Sequence, residues 1–319
     1  QQSAIRNPES GIRNQESGII VEIVDSRIPN PVSSIGRGEY MRSTLGLALT
    51  MAMVLCACEP RASSETAELS GEKAMEHVRA QVAFGSRPPG SLQLQKCREY
   101  IEQQMRGFGY GIEKDTFMAE TPYGPIQMQN LIARKGEGKK GAIVLATHYD
   151  TKLMEGKNFV GANDAGSSTG LLIELARVLA ANKDLLDYWF LFLDGEEAFV
   201  EWSTFDSTYG SRHLAKRWKA EGMVPKIRAL MLLDMIGDKD LDIFYETNST
   251  KRLMNLVRDT ATKIGLKSIM SSYQTAVEDD HLPFLDVGIP SVDIIDLNYG
   301  PGNSYHHTLE DTLDKVSPE

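Results

Sequence analysis

The stretch YWFLFLDGEEAF, residues 188–199, decides the fold. Its first six residues are one continuous apolar run, as in a strand covered on both faces. The chain then passes at once into Asp194-Gly195-Glu196-Glu197, so carboxylates follow directly on a buried strand. The same device recurs on either side. AIVLAT (142–147) leads into His148-Tyr149-Asp150, RALMLLD (228–234) ends on Asp234, and a further strand is expected at 291–295. Between these runs, residues 167–181, 210–220 and 250–264 carry apolar positions at helical spacing, as do 73–83 and 91–107 upstream. Residues 127–134 add one more strand. Alternation of this kind predicts an α/β fold, a three-layer α/β/α domain around a mostly parallel, mixed central sheet. In such sheets, sites form at the carboxyl ends of the strands, where the unusual residues fall.

Working outward, composition bounds the rest. Of 319 residues, 41 % are apolar and 24 % charged, which suits a globular domain with a sizeable core. The net charge of −10 argues against a nucleic-acid partner. Residues 4–19 (AIRNPESGIRNQESGI) hold a near-repeat too poor in apolar positions for a coiled coil, so 1–40 are expected to be a disordered or non-native leader. Met41-Arg42, the apolar run Leu45–Ala57 and the small residues at its end describe a secretory signal peptide over 41–57. Leu55-Cys56-Ala57-Cys58 resembles the lipobox of bacterial lipoproteins, which implies a lipid anchor on Cys58, a polar tether over 58–72 and a place in the bacterial cell envelope. Residues 1–57 hold five arginines and five carboxylates, so the whole negative balance belongs to the 262 residues from Cys58 onward. Those are expected to form one catalytic domain (73–319) that breaks off before a closing helix. Cys97 is expected to pack in a helix, His213 to be structural and His77 to be solvated.

Five segments supply the chemistry: THYD (147–150), GANDAG (161–166), DGEEAF (194–199), LLDMIG (232–237) and EDDHLPF (278–284), with YHHTLEDT (305–312) near the end. Imidazole and carboxylate without thiolate is the donor set of a catalytic zinc with an open position. Each segment has a plainer use: Asp164 as a helix N-cap, Glu196-Glu197 as an acidic surface loop. Adjacent glutamates after a buried strand also have a chemical use, one binding metal while its neighbour acts as base. An isolated carboxylate ending a buried strand, as Asp234 does, is either partnered or functional.

Taken in order, HxD, GAxD, GEE, LDMIG and a late HT resemble the zinc-dependent aminopeptidase superfamily. DTFMAETPYGPIQMQNLIA (115–133), HYDTK (148–152), FVGANDAG (159–166), FLDGEEAFVEWSTFDSTYGSRHLA (192–215) and VEDDHLPFL (277–285) look more narrowly like the animal-type glutaminyl cyclases, from about Phe84 to Asp311. The resemblance implies a zinc aminopeptidase-like fold and one Zn2+ per chain, held by Asp164, Glu197 and His307. It implies Glu196 as proton shuttle, Asp234 and Asp279 as a supporting hydrogen-bond pair, and Trp202 and His281 on the substrate side, with His281 holding its loop. The implied substrates are peptides or proteins with an N-terminal glutamine, acted on by a monomer. Three positions depart from the family: His306 stands where a tryptophan is usual, and Thr147 and Thr169 where the animal enzymes have a disulfide. The runner-up is a zinc exopeptidase, in which His148 and Asp234 hold a second metal bridged by Asp164. A non-catalytic envelope lipoprotein on a decayed enzyme fold is the third reading.

Overall fold

The computed structural model describes residues 67–136, 138, 140–181 and 186–319. The leader, the signal segment, Cys58 and most of the tether lie outside the described residues.

Two helices come first, α1 (Gly71–Val82) and α2 (Leu92–Gly107), each capped by a serine hydroxyl, Ser70 and Ser91. α1 therefore takes in the last two residues of the expected tether. A hairpin follows, β1 (Gly111–Thr121) and β2 (Gly124–Arg134), and then β3 (Ala142–His148), α3 (Gly166–Leu179), β4 (Asp187–Leu193) and α4 (Tyr209–Ala220). The chain continues through β5 (Ile227–Asp234), β6 (Ile243–Glu246), α5 (Lys251–Lys263), β7 (Met270–Thr275), α6 (His281–Asp286) and β8 (Ser291–Ile295). Residues 313–315 make a short 3₁₀ turn, and Ser317 donates its backbone N–H to Gly237.

The main sheet runs β1-β2-β4-β3-β5-β8, with β4, β3, β5 and β8 parallel and the hairpin antiparallel at one side; β6 and β7 pair separately. Side chains alternate across the parallel strands, and both sets are apolar. Leu145, Phe190, Phe192, Met231 and Leu233 face a core shared with α2, α3 and α5. Val144, Leu191, Leu193, Leu230 and Leu232 face a second core under α4 and α6. Two apolar faces require two covering layers, which gives the α/β/α order. α1 lies outside α3, and Gly170 permits the approach: a Cβ there would sit 2.7 Å from the Ala74 carbonyl oxygen. Chain direction along the sheet reverses at β3, whose neighbours β4 and β5 follow it on opposite sides. The carboxyl ends of these three strands therefore border one crevice. Among the described residues, no helix is long and apolar enough to cross a membrane.

Cys97 is fully buried in the first core, and His213 stacks flat on Phe117 with Nε2 3.2 Å from Asp115. His77 corrects the expectation of a solvated side chain. It lies on the inner face of α1, where its Nδ1 is 2.6 Å from the Tyr100 hydroxyl.

Candidate active site

Four segments meet at the crevice. β3 delivers His148, the loop after it delivers Asp164, β4 runs into Glu196-Glu197, and the last loop brings His307. Asp164 is 3 % exposed, Glu196 6 % and Glu197 2 %, which removes the surface-loop use of the glutamates. The N-cap of α3 is Ala165, without a side-chain cap, which removes the capping use of Asp164.

His307 Nε2 stands 3.1 Å from Glu197 Oε1 and 3.3 Å from Asp164 Oδ2. Two ligands of one tetrahedral zinc are about 3.4 Å apart, so the donor set and these two distances fit that ion. Around the crevice, ligand-type atoms within 4.8 Å of one another come from Asp164/His306/His307 and from His148/Asp164/Asp234. Glu197 is in neither, although its Oε1 stands slightly nearer to His307 Nε2 than Asp164 Oδ2 does. His306 stacks on His307 at 3.9 Å between ring centres.

The surrounding shell fixes these groups. Asp150 accepts the backbone N–H of both Glu196 and Glu197, at 3.2 and 3.3 Å, and aims the two side chains. Asp311 accepts the backbone N–H of Asn163 at 2.8 Å and of Asp164 at 3.1 Å, and also the Tyr299 hydroxyl. The completely buried Arg87 donates to the carbonyls of Gln81, Gly85, Val160 and Gly161, clamping the loop before Asp164. Thr147 and Thr169, at the positions of the animal disulfide, both donate to the His148 carbonyl. His307 itself takes a left-handed backbone, φ +52°, uncommon for a side chain of this size and typical of functional sites.

Burial pushes the Glu196 carboxyl well above its usual range, with His148 opposing and Glu197, Asp279 and Asp280 reinforcing. For Asp164, burial acts upward but His148 and His307 outweigh it and hold the carboxyl well below the usual range. Burial would lower His307, yet Glu197 and Asp164 raise it to about 10. His148 rises well above its usual value in the same way, burial being outweighed by Glu196, Asp150, Asp164 and Asp234. A divalent cation would replace these histidine protons as the balancing charge.

The remaining expected residues fall as follows. Asp234 Oδ1 is 3.2 Å from His148 Nε2. Asp279 is buried and raised, by burial first and then by Asp234 and Asp280, but no hydrogen bond joins it to Asp234; its Oδ1 accepts the Asp280 N–H. Trp202 and Asp279 line one cavity of about 340 Å³ with Thr208, Arg212 and Glu278. His281 corrects the expectation of substrate contact: it is completely buried between Glu246 and Asp293 and supports the loop from beneath. Asp150 and Asp311 were not foreseen, although both stand in motifs already singled out, HYD and HTLED. Arg87 lies in a Pro/Gly loop that gives no such signal.

Peptidase family M28 matches residues 130–319. The glutaminyl-peptide cyclotransferase of Drosophila melanogaster is 31 % identical over 293 residues, spanning 81 % of this chain and 82 % of that one. The crystal structure of an Acidobacteriales bacterium glutaminyl cyclase superposes with a TM-score of 0.76 at 44 % identity, over 81 % of this chain and 91 % of the other. A Zn-dependent exopeptidase from Parabacteroides distasonis shares the fold, with a TM-score of 0.69 at 24 % identity over 79 % and 94 % of the two chains. The chain thus belongs to peptidase family M28 and, within that fold, to the glutaminyl-peptide cyclotransferases.

Proposed function

We propose that the chain converts the N-terminal glutamine of peptides and proteins to pyroglutamate with release of ammonia, using one catalytic zinc held by Asp164, Glu197 and His307. The observation that carries this is the convergence of Asp164 and Glu197 on His307 Nε2, with a buried Glu196 alongside, in a chain of this family. Zinc supplies Lewis acidity toward the side-chain amide oxygen. Glu196 takes a proton from the α-amine as its nitrogen bonds to the amide carbon. It then returns a proton to the departing amide nitrogen, so ammonia leaves and the glutamate ends as it began. Amine and amide are already tethered in one residue, which favours closure of the five-membered ring. Asp234, 3.2 Å from His148, and Asp279 would support this shuttle, and Trp202 walls a cavity that Asp279 also lines, through which the substrate would approach.

The His148–Asp164–Asp234 grouping favours a second reading, a two-metal exopeptidase. Glutaminyl- and leucyl-arylamides offered to the zinc-loaded protein separate the two. Ammonia with a pyroglutamyl product is expected, whereas free leucine without ammonia would overturn the cyclase. Inertness toward both with zinc bound would favour a binding protein. The lipid anchor on Cys58 and a place in the bacterial envelope, facing the periplasm or the exterior, belong to the same proposal. They are supported by the basic, apolar and small-residue order of 41–58.

A further inference from the structure

Behind Asp279 lies a second group of ligand-type side chains that the proposed reaction does not use. His281 opens α6, Asp293 sits in the middle of β8 and Glu246 ends β6, and all three are completely buried. One donor atom each from Asp279, His281 and Asp293 lies within 4.8 Å of the others. The atoms converging there are unmatched: both carboxylate oxygens of Asp293, Oδ2 of Asp279 and both ring nitrogens of His281 have no hydrogen-bond partner among the described residues. Buried polar atoms are nearly always paired, so this many in one place call for an occupant. The imidazole is set up for one. His281 Nε2 is 3.2 Å from Glu246 Oε2, while Nδ1 looks toward Asp293 Oδ2 at 3.9 Å. A carboxylate beside the far nitrogen is the usual support of a metal-bound histidine, and Glu246 is near enough to take that place once a cation holds Nδ1.

We propose that Asp279, His281 and Asp293 hold a second divalent cation of the Zn2+ or Mn2+ class, distinct from the zinc at Asp164, Glu197 and His307 but sharing Asp279 with the surroundings of Glu196. One imidazole nitrogen and two carboxylate oxygens are a donor set for such ions. The three atoms would draw in from 4.8 Å toward about 3.4 Å, the spacing around a tetrahedral ion. The ion would also balance a cluster that is otherwise rich in negative charge, with Asp280 beside it and Asp234 within electrostatic reach. Protons are the rival occupants, because burial and mutual repulsion drive both Asp279 and Asp293 toward the neutral form.

The test is the anomalous scattering of crystals of the wild-type chain equilibrated with Zn2+ and, separately, with Mn2+. A peak about 2.2 Å from Asp279, His281 and Asp293 is expected. No peak there, with Asp164 and His307 occupied, overturns the proposal and assigns protons to the cluster. A peak there with none at Asp164 and His307 upholds this site and overturns the catalytic zinc. Asp293→Asn should lose one of two bound ions by elemental analysis while the ion at Asp164 stays. Should that variant fail to fold, the wild-type map decides alone. A count of two ions per chain therefore does not identify an exopeptidase until the second ion has been located.

Discussion

Replacing Asp311 by asparagine tests whether the site is held by its shell as well as by its ligands. The Asp311 carboxylate accepts two backbone N–H groups, from Asn163 and Asp164, and the Tyr299 hydroxyl, so every partner is a donor. Asparagine keeps one acceptor oxygen and turns an NH₂ toward a backbone N–H, so at least one of the bonds to the Asp164 loop is lost. A hydrogen bond to a charged group contributes about 1.5–3 kcal/mol, and leaving its buried donor unsatisfied is a cost of the same size that is counted once. Burial and the Asp164 charge hold Asp311 up at about 7. The expected loss is about 2–3 kcal/mol of unfolding free energy. Zinc binding should weaken about 10- to 100-fold, the usual effect of removing a group that orients a metal ligand. Urea denaturation gives the first quantity, and competition with a chromophoric chelator gives the second. Unchanged zinc affinity in a variant that has lost 2–3 kcal/mol would refute the argument, because the Asp164 loop would then hold its ligand without Asp311.

Glu196→Gln should retain zinc while turnover falls by about 10²- to 10⁴-fold, the usual contribution of a positioned acid–base group; normal turnover rejects the shuttle. Gly161→Ala should displace the Asp164 loop, since a Cβ at this φ of +52° would lie 1.9 Å from the Asp164 carbonyl oxygen. Zinc affinity falling while the fold remains cooperative is the expected outcome, and an unaltered affinity sinks it. For Glu246, burial acts upward but His281, Ser249 and two backbone N–H groups prevail and lower the pKa to about 2. Its stabilisation is thus present in full above about pH 4.5 and lost as pH falls toward 2, amounting to about 3 kcal/mol. Denaturation of Glu246→Gln should show a constant deficit between pH 8 and 5 that shrinks only in more acid solution; a deficit that instead grows toward low pH contradicts the sign. Cys58→Ser should move the protein from the membrane to the soluble fraction, and an unchanged distribution would end the lipid-anchor reading.

Much of this was legible in the chain because the central strands are written in apolar residues alone. β3, β4, β5 and β8 lie within a residue of their expected bounds, and each of the first three ends in the side chains that make the site. The ligand-type residues were legible through their place after those runs. Less was visible where a strand pairs on one side only. GIEKDTFMAET reads as polar because β1 presents most of its residues to solvent or to charged partners, and its pairing depends on β2 across the turn. β6 and β7 are short and half-polar, so nothing in their spacing separates them from loop. Burial of His77 depends on where α1 lands on α3, a tertiary fact without a local signature. The meeting of Glu246, His281 and Asp293 is of the same kind, since Asp293 stands singly in an apolar strand and Glu246 in a segment that reads as loop.

The hairpin has one further consequence. A sheet edge offers a row of free N–H and C=O groups to any neighbouring chain, and strands as apolar as β3, β4 and β5 would be hazardous there. They occupy the interior of the sheet, while β1 takes the outer position. Within its eleven residues, β1 carries Glu113, Lys114, Asp115 and Glu120. Three of these are engaged with neighbouring elements, Glu113 with Arg134 and Arg217, Lys114 with Glu102, and Asp115 with His213 and Arg217. A second copy could add a strand to this edge only by stripping those ion pairs of their solvent and partners. The β1 edge of the sheet thus resists strand addition by a second copy.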